Sequence, residues 1–275
     1  MRLIDSHCHL QADPFADDVD AVIARARAAG LERILVPGWD LASSAAALAL
    51  TARHPWLDAA AGIHPHDAAR AERAAWLGIV RLARDHRVLA VGETGLDYDR
   101  MFSPIEAQLD NLRRHLDLGL DLGKPVIIHC RSAAGSSAAH DDLVEELDRA
   151  GMGRLAPSAA PPGERPSAVM HSFSGSQEFG REVLARGLAI SVSGLAFRAG
   201  EEPTFNEVAP LVPTNRLLIE TDSPYLSPPG APRRRNEPEW VRLTAERLAA
   251  SGGVPADQLG DQLVAAYDRT FREPI

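Results

Sequence analysis

Cysteine is nearly absent from this chain: Cys8 and Cys130 are the only two among 275 residues. Two thiols cannot build a disulfide framework, which excludes a cystine-stapled secreted scaffold and fits a reducing compartment. The N-terminus has no basic segment leading into a long apolar stretch, so no signal peptide is expected. No run of 18 apolar residues occurs, so no membrane-spanning helix is expected either. The expected location is the cytoplasm. Positive charge is also in deficit, with 29 Lys and Arg against 38 Asp and Glu, a net charge of −9. That argues against a protein that coats nucleic acid through a broad basic face. It leaves room for an enzyme that grips a few phosphates in a pocket, where bound divalent cations would concentrate positive potential.

What the chain does have is a repeated unit. Short apolar runs occur at Leu3 and Ile4, in RILVPG (33–38), LDAAAGIHP (57–65) and RVLAVGETG (87–95). They continue in KPVIIHC (124–130), SAVMHSF (167–173), GLAISVSG (187–194) and LLIETDSP (217–224). Between these eight candidate strands lie helix-compatible stretches such as 17–30 and 104–123, the second with Pro at its start and Gly at its end. Strands alternating with helices imply parallel pairing, and eight such units predict an α/β fold of the closed (β/α)₈ TIM-barrel type. An open doubly wound sheet is the alternative; the regularity of the repeat favours closure. The 275 residues match one barrel of ordinary size, read as a single domain spanning 1–275. The Pro-, Ala- and Gly-rich stretch 154–168 is expected to be a flexible loop before the sixth strand, and 254–271 a terminal amphipathic helix.

The chemistry-bearing residues recur at the ends of these strands. Residues two apart on a strand face the same way, so His7 and His9 project together while Cys8 points oppositely. Glu93, His129, His171 and Asp222 follow at the ends of strands four, five, six and eight. Parallel strands in a barrel place all their C-terminal ends on one face, so six ligand-type side chains are predicted to converge on one mouth. Each has an ordinary alternative: Glu93 as a solvated loop carboxylate, Asp222 as a turn cap, the histidines as hydrogen-bonded core residues. Six such coincidences on one face are harder to accept than one shared site. His54, His86, His115 and His140 fall in or beside helical stretches, where solvent exposure is the expectation. Four imidazoles and two carboxylates exceed what one catalytic ion takes from protein, about three ligands plus water, and suit two ions about 3.5–4 Å apart. The expected partition puts His7, His9 and Asp222 on one ion and His129 and His171 on the other, with Glu93 bridging. Such mixed ligands accept Mg²⁺, Mn²⁺ or Zn²⁺.

Together, IDSHCHL, GIHPHDA, VGETGLDY, KPVIIHCR, VMHSFSGS, LLIETDSPYLSP and RRRNEP give a chain that resembles the TatD-type metal-dependent deoxyribonucleases of the amidohydrolase superfamily. The resemblance runs in family order from residue 4 to residue 238. It implies a (β/α)₈ barrel with a divalent-metal site and carries the ligand roles onto His7, His9, Glu93, His129, His171 and Asp222. It further implies 3′→5′ exonuclease activity on DNA, sometimes RNA, usually with Mg²⁺. Some relatives are deacylases of D-aminoacyl-tRNA. The chain departs from the family in having Ser132 where an Asp often follows the HCR element, Asp268 where an Asn is common, and a longer 154–168 region.

The expected function is therefore cleavage of phosphodiester bonds, as a 3′→5′ exodeoxyribonuclease on single-stranded DNA. The alternative is a metal-dependent deacylase or amidohydrolase acting on an ester or amide such as D-aminoacyl-tRNA, since the same water chemistry serves both. Asp222 and Glu93 are the expected catalytic carboxylates, Asp222 accepting or orienting the proton of the attacking water. His64 and Arg131 are expected to bind substrate phosphate, Arg131 having an ion pair with Asp97 as its alternative. His66 reads as a supporting residue. Tyr225 and Phe173 are candidates to stack on a base, with rim packing the simpler role for Phe173, and the basic run 233–235 either holds nucleic-acid backbone or is plain solvated surface. Nothing in the sequence marks an obligate protein partner.

Overall fold

The computed structural model describes residues 1–153, 165–232 and 234–273. Its eight strands are β1 (Leu3–Asp5), β2 (Leu31–Pro37), β3 (Leu57–Ala61), β4 (Val88–Asp97), β5 (Val126–Arg131), β6 (Ala168–Met170), β7 (Ala189–Val192) and β8 (Leu217–Ile219). They pair in chain order, all parallel. The first and last strands meet beyond their formal ends: Ser6 N–H donates to Ile219 O at 2.9 Å, and Cys8 bridges Ser223 in parallel. Those contacts close the sheet into a (β/α)₈ barrel.

Helices return the chain between strands: α1 (Val19–Ala28), α2 (Leu41–Arg53), α3 (Arg73–Ala83), α4 (Ile105–Leu122), α5 (Ala138–Arg149), α6 (Gln177–Ala185) and α7 (Glu202–Val208). The chain then finishes with α8 (Val241–Gly252) and α9 (Ala256–Phe271). Their boundaries follow local chemistry. Asp40 caps α2 by accepting from Ser43 N–H at 2.7 Å. Pro104 precedes α4 and Gly123, at φ 60°, ends it. The strands are apolar and buried on both faces, as a parallel sheet covered by helices requires. The predicted terminal helix 254–271 corresponds to α9, which packs beneath β1 and β8.

The fold departs from the sequence reading in three places. The run 167–173 supplies only a three-residue strand and 217–224 another, so His171 and Asp222 lie on loops just beyond β6 and β8. Conversely, β4 continues past Glu93 to Asp97, with its register against β5 shifted between Val91 and Thr94. Such an irregularity re-aims a side chain, which is how a mid-strand glutamate reaches the mouth. Third, His115 is fully buried rather than exposed: its Nε2 accepts Ile63 N–H at 3.0 Å and its Nδ1 donates to Asn111 O at 2.7 Å. A histidine on the inner face of α4 obeys the packing of that face, not the average for helices. His140 is also partly covered, its ring stacked 4.1 Å from Phe179. Of the expected loop 154–168, residues 154–164 lie outside the described residues. Arg165, just after them, donates to Thr270 O at 2.9 Å and Gly123 O at 3.3 Å, and Ala168 already opens β6.

Candidate metal centre

The mouth of the barrel collects the six ligand-type side chains predicted from sequence. His7 and His9, just past β1, bring their Nε2 atoms to 3.3 Å from each other, while Cys8 between them is buried. Glu93 is 2% exposed and presents its two oxygens to two different sets. Oε2 lies 3.2 Å from His7 Nε2 and 3.8 Å from His9 Nε2. Oε1 lies 3.0 Å from His171 Nε2 and 3.4 Å from His129 Nδ1. Asp222 Oδ1 approaches His9 Nε2 at 3.3 Å and His7 Nε2 at 3.9 Å. His129 and His171 are themselves 3.2 Å apart through Nδ1 and Nε2. The geometry therefore groups His7, His9 and Asp222 on one oxygen of Glu93, and His129 and His171 on the other.

Backbone features make this approach possible. Gly95 has φ 136°, and a Cβ there would stand 1.8 Å from His129 O; only glycine lets β4 and β5 come so close. Asp222 adopts φ 53°, a left-handed conformation uncommon outside glycine and costly enough to mark functional positions. It is held by its N–H donating to His7 O at 2.9 Å and its carbonyl accepting Tyr225 N–H at 2.8 Å.

Supporting residues fix the imidazoles. Glu220 is fully buried, and its Oε1 accepts from His171 Nδ1 at 3.0 Å, leaving Nε2 directed at Glu93. Asp97 Oδ2 sits 3.2 Å from His129 Nε2 and 2.8 Å from His66 Nε2, tying both rings. That answers the question left open for Arg131. Asp97 is engaged by the two histidines and by the N–H groups of Asp99 and Arg100, and Arg131 makes no ion pair with it or with any other described residue. The Arg131 guanidinium lines the open cavity instead. His64 is closer to the centre than its expected phosphate-binding role implies, with Nε2 3.3 Å from Glu93 Oε1. His66 is the supporting residue anticipated. Phe173 is buried in the rim, whereas Tyr225 is 55% exposed. In the basic run, Arg235 is engaged by Asp18 and Glu237, Arg234 is exposed, and residue 233 lies outside the described residues. Glu220 and the role of Asp97 escaped the sequence reading. Glu220 carried a signal, since the ETD triplet puts it two residues from Asp222; the shared environment of Asp97 arises only in three dimensions.

Electrostatics test whether divalent cations fit here. Burial pushes the Glu93 carboxyl up, but His64, His171 and His7 around it more than reverse that and hold it well below the ordinary carboxylate range. Burial likewise opposes ionisation of Asp222, and His9 outweighs it. His7 is pushed down by burial and by His171, and burial takes His64 down to about 4. The carboxylates are thus ionised and His7 and His64 neutral. Against burial, Asp222 raises His9, Asp97 and Glu93 raise His129, and Glu93 and Glu220 raise His171, so a cation binding there would displace protons from those three rings. Among the described residues, Glu93 and Asp222 have no Lys or Arg within ion-pair distance. Buried carboxylates without a Lys or Arg partner, ringed by imidazoles, form a donor set suited to divalent cations. Donor atoms within 4.8 Å of one another recur in three overlapping triads: His7, Glu93 and His171; His7, His9 and Asp222; His64, Glu93 and His129. Neither cysteine is among them.

The centre opens into a cavity of about 460 Å³, bordered by Trp39, Phe102, Arg131 and Tyr225. A barrel with this arrangement has clear relatives. The sequence model described as "TatD related DNase" matches residues 4–272. A protein of Enterobacter lignolyticus named 3′-5′ ssDNA/RNA exonuclease TatD is 36% identical over 264 residues, covering 94% of this chain and 95% of its own. An uncharacterized metal-dependent hydrolase of Bacillus subtilis, YabD, is 33% identical and spans 98% of this chain and 99% of its own. The crystal structure of YjjV, a TatD homolog from Escherichia coli K12, superposes with a TM-score of 0.83 at 30% identity, over 99% of both chains. With the family model spanning nearly its whole length and its barrel shared with the YjjV structure, the chain belongs to the TatD-related DNase family.

Proposed function

We propose that this chain is a divalent-metal-dependent nuclease that removes nucleotides from the 3′ ends of single-stranded DNA. The observation that carries the reading is the Glu93 carboxylate, whose two oxygens face two separate imidazole sets at distances of 3.0–3.8 Å. His7, His9, Asp222 and Glu93 Oε2 would hold one ion, and His129, His171 and Glu93 Oε1 the other, with His64 within reach of the second. Cations bound there supply Lewis acidity toward a phosphoryl oxygen and make water a stronger acid.

The protein's own groups do the rest. Asp222, held ionised beside His9, takes the proton of the attacking water. Arg131, free of any described partner, offers its planar fork to the non-bridging oxygens of the scissile phosphate. Glu220 and Asp97 keep His171 and His129 in one tautomer and orientation. Phe102, 68% exposed on the cavity rim, gives the terminal base a ring to stack on. The nuclease reading also draws on the named activity of the Enterobacter lignolyticus relative.

The test is a 5′-labelled single-stranded oligonucleotide incubated with Mg²⁺ or Mn²⁺, with and without chelator, beside acyl-ester and amide substrates. Stepwise shortening from the 3′ end that chelator arrests is the expected result. Intact oligonucleotide together with ester turnover would replace the nuclease by a deacylase.

A further inference from the structure

A second cavity, of about 760 Å³, adjoins the first, and Tyr225 belongs to the walls of both. Its volume lies in the range of sites that hold organic ligands. Pro224, Pro232 and Trp240 supply apolar lining. The charges around it are almost all engaged. Arg235 donates to Asp18 at 2.8 Å and to Glu237 at 2.7 Å, and its guanidinium lies 4.9 Å over the Phe15 ring. Arg25 takes the other oxygen of Glu237 at 2.8 Å and stands 4.0 Å from Glu239. Arg234 is the exception. It is exposed, it lines the cavity, and it makes no hydrogen bond or ion pair with any described residue. Apolar and aromatic walls with one uncommitted guanidinium match the two halves of a nucleotide, a flat base and a phosphate.

We propose that this cavity is a second nucleotide subsite, resting on the nuclease reading above. A strand whose scissile phosphate lies at the metal centre would place one base against Tyr225 in the first cavity. The next nucleotide would then occupy the second cavity beside Trp240, with its phosphate on Arg234. Tyr225 acts as the partition between two successive bases. The consequence is a preference for strands of three or more nucleotides over a dinucleotide, which cannot reach the second cavity once its only phosphodiester is positioned for cleavage.

Hydrolysis of oligothymidylates of two, three and eight nucleotides by the Mn²⁺-loaded wild type and Arg234→Ala tests this. Arg234 is exposed and has no partner among the described residues, so the variant is expected to fold. In wild type, kcat/KM should step up between two and three nucleotides. In Arg234→Ala the ratio of kcat/KM for the octamer to that for the dinucleotide should drop about tenfold through KM, as loss of a charge-assisted contact implies. The slope of log KM against log salt for the octamer should shrink by about 0.7, one phosphate contact on a single strand. A wild type without the length step, or a variant with unchanged ratio and salt slope, overturns the subsite while the nuclease reading stands. Failure to hydrolyse any of the three oligomers overturns the nuclease reading and the subsite with it.

Discussion

Replacing Glu220 separates metal binding from folding. The carboxylate is fully buried, with Oε1 3.0 Å from His171 Nδ1 and Oε2 without a hydrogen-bond partner. Its bond to Nδ1 leaves Nε2 of His171 directed at Glu93 Oε1, 3.0 Å away. Without Glu220 the ring is free to change tautomer and to turn. Loss of such an outer partner weakens metal binding about 10- to 100-fold, or about 1.4–2.7 kcal/mol. Stability of the metal-free fold should move less, because a buried unpartnered oxygen already costs about 1–3 kcal/mol and removing it offsets the lost hydrogen bond. Calorimetric titration of chelator-stripped protein with Mn²⁺ should therefore show Glu220→Ala weakening one class of site, the one containing His171, and leaving the other. Glu220→Gln, which keeps an acceptor for Nδ1, should fall between Ala and wild type. Urea midpoints in chelator should stay close across the three proteins. Wild-type affinity at both sites in Glu220→Ala would refute the orienting role.

Arg131→Ala should raise KM for oligonucleotide about tenfold and leave the urea midpoint unchanged, because no described residue pairs with its guanidinium; a large loss of stability would instead reveal a structural ion pair. Burial lowers the folded pKa of His115 to about 4. The unfolded chain takes up that proton near pH 6.5, so stability should fall as pH drops from 6.5 to 4, by up to about 3 kcal/mol. His115→Gln should flatten that acid limb relative to wild type in chelator, and identical slopes for the two proteins would contradict the assignment. Gly95→Ala should destabilise by at least about 3 kcal/mol, since its Cβ would lie 1.8 Å from His129 O at φ 136°; a soluble variant with the wild-type urea midpoint and bound metal would show that β4 and β5 can separate.

Much of this molecule is legible without coordinates because its signals are local or periodic. Apolar runs, turn residues and the β/α alternation decide the barrel, and a parallel barrel forces every strand to end on the same face. Strand alternation alone pairs His7 with His9 and sends Cys8 away. What only the tertiary structure decided are relations between residues whose positions depend on several strands at once. The register shift in β4 turns Glu93 so that each oxygen meets a different set of imidazoles. Closing the β1–β8 seam brings His7 beside Asp222, and Glu220 and Asp97 acquire their histidines across the mouth. The burial of His115 depends on which face of α4 the barrel covers. The sequence determines which side chains reach the mouth, since that depends on period and chain direction. Who touches whom at 3 Å depends on register and closure, and those are settled by packing the whole barrel.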